Sequence, residues 1–126
     1  MARLRAARVV SDGVLAGFWI NARTDICLRA KPATHGAHIT GVSARGAACA
    51  EAGASSFLVP GLRDSGLNRE VCAASRLPVN VMAGPEAAES GALAAPGVRR
   101  ISYGPFPWRA AMAMPASYAA AAGKPG

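Results

Sequence analysis

Four short apolar runs recur along this chain of 126 residues, and each ends in a turn rich in polar residues, glycine or proline. The runs occupy residues 18–20, 57–59, 77–82 and 98–102. Alanine-rich segments separate them, and alanine is the residue that most favours helix. Strand, turn and helix repeated in this way predict a series of βα units, and therefore a parallel sheet whose functional loops follow the carboxyl ends of the strands.

Local patterns predict the individual elements. β-branched and aromatic residues favour strands at about residues 17–22, 54–59, 77–82 and 98–103. Helix-forming residues with apolar periodicity favour helices at residues 2–10, 39–53, 64–75, 86–95 and 108–122. Residues 11–13 are expected to end the first helix, and Pro115 to interrupt the last. Pro32 and Gly36 predict a long loop over residues 29–38, at the strand end where a barrel builds its site.

The length limits the architecture. A complete (β/α)8 barrel needs roughly 250 residues, so four units supply about half of one. The chain is nevertheless of ordinary single-domain size, and its 52% hydrophobic content indicates a globular protein. We expect an α/β fold, a partial (β/α)8-type barrel over residues 1–126, with a flexible low-complexity tail at residues 119–126.

The formal net charge of +7 could indicate a polyanionic partner. The arginines are scattered, however, and no aromatic and basic stacking platform accompanies them, which argues against nucleic acid. No run approaches the roughly 20 apolar residues that cross a bilayer, so we expect no membrane partner. Cys27, Cys49 and Cys72 are odd in number and widely spaced, which favours free thiols and a cytoplasmic location.

Four groups of motifs cover nearly the whole chain. They are FWINARTD at residues 18–25, AEAGA and FLVPGL at residues 50–54 and 57–62, PVNVMAGP at residues 78–85, and GVRRISYGP at residues 97–105. In this order and spacing they resemble the later half of the isocitrate lyase and phosphoenolpyruvate phosphonomutase superfamily. The resemblance implies strands five to eight of a (β/α)8 barrel that binds magnesium and a small α-keto or α-hydroxy carboxylate, and that makes or breaks a carbon–carbon or carbon–phosphorus bond.

In that superfamily the magnesium-binding acidic residues and the loop with the catalytic cysteine belong to strands one to four. The resemblance therefore implies Mg²⁺ as cofactor, but places neither its ligands nor a catalytic residue in this chain. Asp12, Asp25 and Asp64 lie far apart in the sequence and lack the paired arrangement of a magnesium site. His35 and His38 have a spacing that can hold a metal, although an ordinary pair at a helix start is the alternative.

Two residues match substrate-binding positions of the superfamily. Arg23 follows the first predicted strand and corresponds to an arginine that grips a carboxylate or phosphonate, for which its planar fork is suited. Asn80, expected at the end of the third strand, corresponds to an asparagine that hydrogen-bonds the substrate. The alternatives are a surface ion-pair arginine and a turn asparagine.

Three departures from the superfamily pattern suggest relaxed constraint. Gly61 stands where the lyase branches carry an acidic residue, so the phosphonomutase-like branch is the closer resemblance and isocitrate cleavage is not expected. Ser55 and Pro96 replace the usual acidic residue and leucine.

Arg63 is expected on a peripheral loop, away from the site.

Two hypotheses of function follow from the resemblance. In the first, the chain is a fragment or divergent member of a magnesium-dependent lyase or mutase, inactive alone and completed by a missing amino-terminal half. In the second, it is a non-catalytic remnant that associates with further copies of itself through open sheet edges.

Overall fold

The computed structural model describes residues 1–84, 93 and 97–122 of the chain. The elements, in order, are α1 (Ala2–Val14), β1 (Asn21–Arg23), α2 (Ile26–Arg29), a short 3-10 helix (Pro32–Thr34), α3 (His35–Glu51), β2 (Ser56–Val59), α4 (Ser65–Ala74), β3 (Val79–Met82), β4 (Arg100–Ser102) and α5 (Phe106–Ala122).

The four strands form one parallel sheet in the order β1-β2-β3-β4. Each strand therefore lies beside the one before it in the chain and runs in the same direction, as successive βα units require. The prediction of an α/β fold with a parallel sheet is confirmed. The order is consistent with part of a (β/α)8 barrel, in which neighbouring strands are sequential.

The hydrophobic core lies between the sheet and the helices α3 and α4. Val59 and Val81 from the sheet and Val42 from α3 have no exposed surface. Phe57 is equally buried, and its ring lies 3.1 Å from the point where a Cβ on Gly46 would be. Gly46 therefore lets α3 approach the ring closely, which explains a glycine inside a helix that would otherwise favour alanine.

The first strand begins later than the apolar run predicts. It covers Asn21–Arg23 rather than residues 17–22, and Phe18 and Trp19 remain 48% and 60% exposed. The carbonyl of Ile20 accepts the first hydrogen bond from the second unit, from the N–H of Ser55 at 2.8 Å. Residues 18–20 are therefore apolar but do not belong to the strand, because the hydrogen bonds between β1 and β2 begin only at the Ile20 carbonyl.

The predicted loop over residues 29–38 is wrong. The segment contains the end of α2, a 3-10 helix that begins at Pro32, and the first turn of α3, which begins at His35 rather than at residue 39. A buried hydrogen bond explains the order of this segment: Nε2 of His35 lies 2.9 Å from the carbonyl oxygen of Cys27 in α2. Proline at the first helical position also presets the backbone angle.

Two other helix ends were misplaced by the patterns. α1 continues to Val14, through the residues predicted to end it, and the N–H of Leu15 donates to the carbonyl of Ser11. α5 begins at Phe106 and passes through Pro115 without ending. α4 agrees with its prediction, and Asp64 caps its first turn by accepting from the N–H of Leu67 at 2.8 Å.

The first and last helices are the least covered parts of the fold. None of the residues of α1 is buried, and Trp108, Met114 and Tyr118 of α5 are 66%, 68% and 78% exposed. α5 ends at Ala122, so residues 119–122 of the expected tail are helical, whereas residues 123–126 and most of the predicted helix over residues 86–95 lie outside the described residues. Within the described ranges, no helix is long and apolar enough to cross a membrane.

Candidate functional site

The sheet has two faces of different chemistry. Side chains alternate along a strand, so the residues on either side of each core residue point away from α3 and α4. We call this second surface the inner face, and its members are Asn21, Arg23, Ser56, Leu58, Asn80, Met82, Arg100 and Ser102. Six of these eight are polar or charged, whereas the face towards the helices is apolar.

One row of the inner face contains both predicted site residues. The register pairs Arg23 with Leu58, Leu58 with Asn80, and Asn80 with Arg100, so the row crosses all four strands and has an arginine at each edge. The structure places Asn80 second in β3, rather than at its end. Neighbouring strands lie about 4.8 Å apart, which puts Asn80 about 10 Å from Arg23 across the sheet.

Asn80, like Asn68 of α4, is a buried amide with an unsatisfied side-chain oxygen. It is 1% exposed, yet its Oδ1 accepts no hydrogen bond from any described residue. Leaving such an acceptor without a donor costs about 1–3 kcal/mol. A donor supplied from outside the described residues, such as a ligand hydroxyl, would remove that cost.

Arg23 lies at the carboxyl end of β1. Its Nε donates to Oδ1 of Asp25 at 2.6 Å, and its side chain is 51% exposed. It lines an open hollow of about 480 Å³ together with Arg29 of α2 and Arg45 of α3, so this hollow lies at the exposed β1 edge, on the side of the sheet that α3 covers. Three guanidinium groups around one carboxylate leave this hollow suited to an anion.

The amino end of the inner face is held by a chain of hydrogen bonds. Nε1 of Trp19 donates to Oγ of Ser56 at 2.8 Å, and that hydroxyl donates to Oδ1 of Asn21, also at 2.8 Å. Trp19 and Ser56 line a second hollow, of about 500 Å³, which Arg100 also reaches. The indole is therefore held across the end of the sheet opposite to Arg23.

Gly61, after β2, is required by the backbone. Its φ angle is +88°, and an added Cβ would lie 2.8 Å from Cα of Leu28 and 2.9 Å from its backbone nitrogen. Any side chain here would have to displace α2. The absence of an acidic residue at this position therefore has a steric cause in this chain.

Arg63 lies exposed in the loop after β2, as expected, and its guanidinium also reaches a neighbouring loop. Its Nη2 lies 3.1 Å from the position that a Cβ on Gly84 would take, and that position is 3.5 Å from Cζ of Phe106. The guanidinium therefore reaches from the loop after β2 to the loops after β3 and β4. The sequence offered one signal for this contact, a glycine two residues after the third apolar run.

The described residues do not form a magnesium site. Nε2 of His35 faces the Cys27 carbonyl, so this nitrogen carries a proton and donates it, whereas His38 lies partly exposed on α3. In the part of the chain that the structure describes, no three His, Cys, Asp or Glu side chains come together. The Mg²⁺ that the resemblance implies therefore finds no such group of ligands among the described residues.

The three cysteines are unsuited to nucleophilic catalysis. All are free thiols, and burial raises the pKa of Cys27, Cys49 and Cys72 above its ordinary value. For Cys49 the positive charge of Arg45 opposes that rise but does not outweigh it. Because the thiolate is the reactive form, these side chains stay protonated and inert at neutral pH.

A parallel sheet of sequential βα units, with a cationic hollow at its carboxyl edge, places the chain in the α/β class with the barrel-type proteins. It belongs to the phosphoenolpyruvate phosphomutase family, whose model matches residues 1–122. This family lies within the isocitrate lyase and phosphoenolpyruvate mutase superfamily, so the resemblance seen in the four groups of motifs is confirmed.

Two crystal structures from Burkholderia cenocepacia J2315 are similar to this chain. One, of a protein assigned as a phosphonomutase, is 43% identical with a TM-score of 0.91, and the match covers 97% of this chain and 49% of that one. The other, assigned as a lyase/mutase, is 30% identical with a TM-score of 0.76, and covers 88% and 39%. The chain therefore spans about half the length of these structures or less. The comparison with curated proteins gave no significant match.

Proposed function

We propose that this chain forms strands five to eight of a (β/α)8 barrel in a magnesium-dependent lyase or mutase. Its substrate is a small α-keto or α-hydroxy carboxylate, in which a carbon–carbon or carbon–phosphorus bond is made or broken. The observation that carries the proposal is one row of the inner face. In this row Arg23 and the unsatisfied Asn80 lie on either side of Leu58, in a chain that belongs to the phosphoenolpyruvate phosphomutase family.

Arg23 and Asn80 have complementary roles in this proposal. The guanidinium of Arg23 presents a planar fork of donors, which suits two-pronged contact with a carboxylate or phosphonate. Oδ1 of Asn80 can only accept, so it is suited to the hydroxyl of an α-hydroxy carboxylate. Neither group transfers a proton in this scheme, and both bind and orient.

The metal and the remaining strands come from a complementary half. The described residues offer no cage for Mg²⁺, and β1 and β4 are the edges of the described sheet. Edge strands present N–H and C=O groups that another strand can pair with. We propose a cytoplasmic assembly, since all three cysteines are free thiols.

Charge favours an acidic complement over a second copy of the chain. The row of the inner face ends in Arg23 at the β1 edge and Arg100 at the β4 edge. If two copies joined β1 to β4, these arginines would approach each other, and like charges on neighbouring strands are destabilising. A partner half with carboxylates facing inward would instead neutralise them.

The second candidate is a non-catalytic chain that associates with itself. The exposed apolar side chains of the terminal helices favour it, with Val14 at 83% and Tyr118 at 78% exposure. Apolar surface of this kind marks interaction sites or aggregation. In this case the purified chain would be dimeric or larger, and no complementary half would change that state.

The test is complementation. The half of the 43%-identical Burkholderia protein that this chain does not match is co-expressed with it, and the complex is assayed with Mg²⁺ on phosphoenolpyruvate, methylisocitrate and isocitrate. The chain alone should turn over none of them, and millimolar Mg²⁺ should leave its Tm unchanged, since a ligand stabilises only what it binds. The complex should convert at least one substrate.

Within an active complex, Arg23→Ala should lower kcat/KM by about 30- to 1000-fold, corresponding to roughly 2–4 kcal/mol of lost transition-state binding. Arg23→Lys should recover part of this, because an ammonium lacks the fork. Arg76→Ala is the matched control, since Arg76 is exposed and precedes β3 at the opposite end of the sheet. Equal losses in Arg23→Ala and Arg76→Ala, or a folded complex without activity, would contradict the proposal.

A further inference from the structure

The amino end of the inner face carries an exposed tryptophan whose orientation is fixed. Trp19 is 60% exposed, although its Nε1 donates to Oγ of Ser56 at 2.8 Å. The Ser56 hydroxyl donates in turn to Oδ1 of Asn21, so the acceptor that holds the indole is itself held. Because the N–H is already used, the surface that the ring exposes is mostly hydrocarbon. A large aromatic side chain that is ordered before binding loses little entropy on contact, as in the anchors of protein interfaces.

The indole forms one wall of the hollow of about 500 Å³ at this end of the sheet. Pro78 and Arg100 line the same hollow. Pro78 directly precedes Val79, whose side chain is buried towards the helices, so alternation directs Pro78 to the inner face. Arg100 is the first residue of β4 and also belongs to that face. The hollow therefore spans the amino edge of the sheet from the β1 side to β4.

A closed barrel would fill this hollow with side chains from other strands. The interior of a (β/α)8 barrel consists of layers of about four side chains, which come from alternate strands. Trp19 precedes β1 and Pro78 precedes β3, so this chain supplies two members of such a layer. The crystal structures of 43% and 30% identity extend well beyond the match, which covers 49% and 39% of their lengths. The remaining members of the layer would come from that additional part.

The charge of the hollow indicates what must cover it. Two of its lining residues are arginines, and none is acidic. Arg100 forms no ion pair with any described residue. Covering a guanidinium without a carboxylate costs free energy, because the charge loses water and gains no partner. A second copy of this chain would bring the same arginines to the contact, whereas an acidic partner would pair with them.

We propose that this hollow is the docking surface for the complementary half of the barrel, with Trp19 as its anchor. An apolar side chain from the amino end of the partner's strands packs against the indole and Pro78, and a neighbouring carboxylate pairs with Arg100. This inference rests on the proposed function, which requires the complementary half. It adds the contact that holds the two halves together.

The experiment measures how tightly the halves associate. The chain is co-expressed with the part of the 43%-identical Burkholderia protein that it does not match, and sedimentation of a dilution series gives the Kd of the purified complex. Trp19→Ala should raise the Kd by about 30-fold or more, as expected for an interface hot spot. Trp19→Phe keeps an apolar ring but loses the N–H that orients it, so it should raise the Kd by a smaller factor.

Trp108→Ala is the matched control for the anchor. Trp108 is the other tryptophan of the chain, is 66% exposed on α5 and does not line the hollow. Its removal should change the Kd by less than about three-fold. Because both tryptophans are largely exposed, neither alanine variant should shift the urea midpoint of the isolated chain by much, and this measurement reports folding.

Arg100→Ala tests the charge of the docking surface. It should raise the Kd by about 10-fold at low salt and make association less sensitive to salt, because it removes one ion pair. Arg76→Ala is the control, since Arg76 is exposed at the same edge of the sheet but does not line this hollow. Equal effects of the two variants would assign the effect to net charge and overturn the pairing of Arg100.

The remaining outcomes separate this inference from the proposed function. If Trp19→Ala and Trp108→Ala change the Kd alike, the anchor is wrong, whereas an active complex still supports the proposed function. If Trp19→Ala weakens a complex that converts no substrate, the docking surface stands and the proposed activity fails. An isolated chain that dimerises, and that Trp19→Ala makes monomeric, would show that a second copy occupies the hollow and would overturn the inference. Halves that do not associate would overturn both.

Discussion

The two faces of the sheet differ in what they bury. Towards α3 and α4, Phe57, Val59 and Val81 have no exposed surface and pack against an apolar helix layer. On the inner face, two residues of the same strands, Ser56 and Asn80, are almost as buried but polar, at 3% and 1% exposure. The helix-facing side therefore buries apolar side chains, whereas the inner face buries polar ones.

A parallel sheet normally has apolar residues on both faces, because helices or the filled interior of a barrel cover each of them. Here the helix-facing side follows that rule and the inner face does not. Polar groups on a buried face lower stability unless they find partners. We infer that the helix-facing side stabilises the fold, whereas the inner face binds polar groups from a substrate or a partner chain.

The largest expected effect tests the stabilising face. Phe57→Ala should lower the free energy of unfolding by about 3–5 kcal/mol, because it empties a fully buried ring site beneath Gly46. Leu58→Ala is the matched control, as the next residue of the same strand on the inner face, and should cost less than half as much. Urea unfolding measures both, and equal losses would show that the two faces are packed alike.

The next effect tests the loop at the carboxyl edge, where both faces end. Gly61→Ala should lower the free energy of unfolding by roughly 2–3 kcal/mol, because a positive φ is strained for alanine and the backbone of Leu28 blocks the Cβ. Gly41→Ala in α3 is the control. Its Cβ meets nothing within 4 Å, so it should stabilise the protein by about 0.5–1 kcal/mol.

If Gly61→Ala were as stable as the wild type, α2 could move away from this loop without loss. The steric reason for the missing acidic residue would then disappear. Thermal unfolding of Gly61→Asp beside Gly61→Ala separates the two effects, since any difference between them reflects the carboxylate rather than the Cβ.

The order of the elements and the parallel sheet follow from the sequence because four apolar runs alternate with helix-forming segments. The strand boundaries do not follow, because hydrophobicity alone does not show where a ladder begins. Trp19 is apolar, yet its indole N–H is used in a hydrogen bond to Ser56 and its ring stays largely exposed. The segment before α3 was misread because a buried contact of His35 orders it.

The candidate site was also predicted only in part. Arg23 and Asn80 came from a resemblance in motifs, and the structure adds that they share one row across β1 to β3. The reach of the Arg63 guanidinium was not predicted, because the contact that shows it joins residues 63 and 84 through space. A glycine without a positive φ was the one clue, and its meaning depends on which side chain approaches it.

A smaller effect of opposite sign tests the inner face. Asn80→Leu should raise the free energy of unfolding by about 1 kcal/mol, because it removes a buried acceptor that no described donor satisfies. Val81→Thr, one residue along on the helix-facing side, should instead destabilise, since it buries a hydroxyl in the apolar core. If Asn80→Leu destabilises as Val81→Thr does, Oδ1 of Asn80 has a donor and the contrast between the faces is weaker than we infer.

The smallest expected effect concerns pH. Burial raises the pKa of Cys27, Cys49 and Cys72 in the folded chain, and each raised thiol favours the folded state as long as it stays protonated. Their contribution is fully present below the unfolded pKa of about 8.5 and is lost as pH rises through the higher folded values. The free energy of unfolding should therefore fall between about pH 8 and 10, and replacing all three cysteines by alanine should flatten that fall. Urea unfolding at several pH values in the presence of a reductant measures both slopes. Cys27 and Cys49 are the most buried of the three, at 2% and 3% exposure. If the free energy of unfolding falls with pH just as steeply in the cysteine-free chain, groups other than these thiols cause the fall.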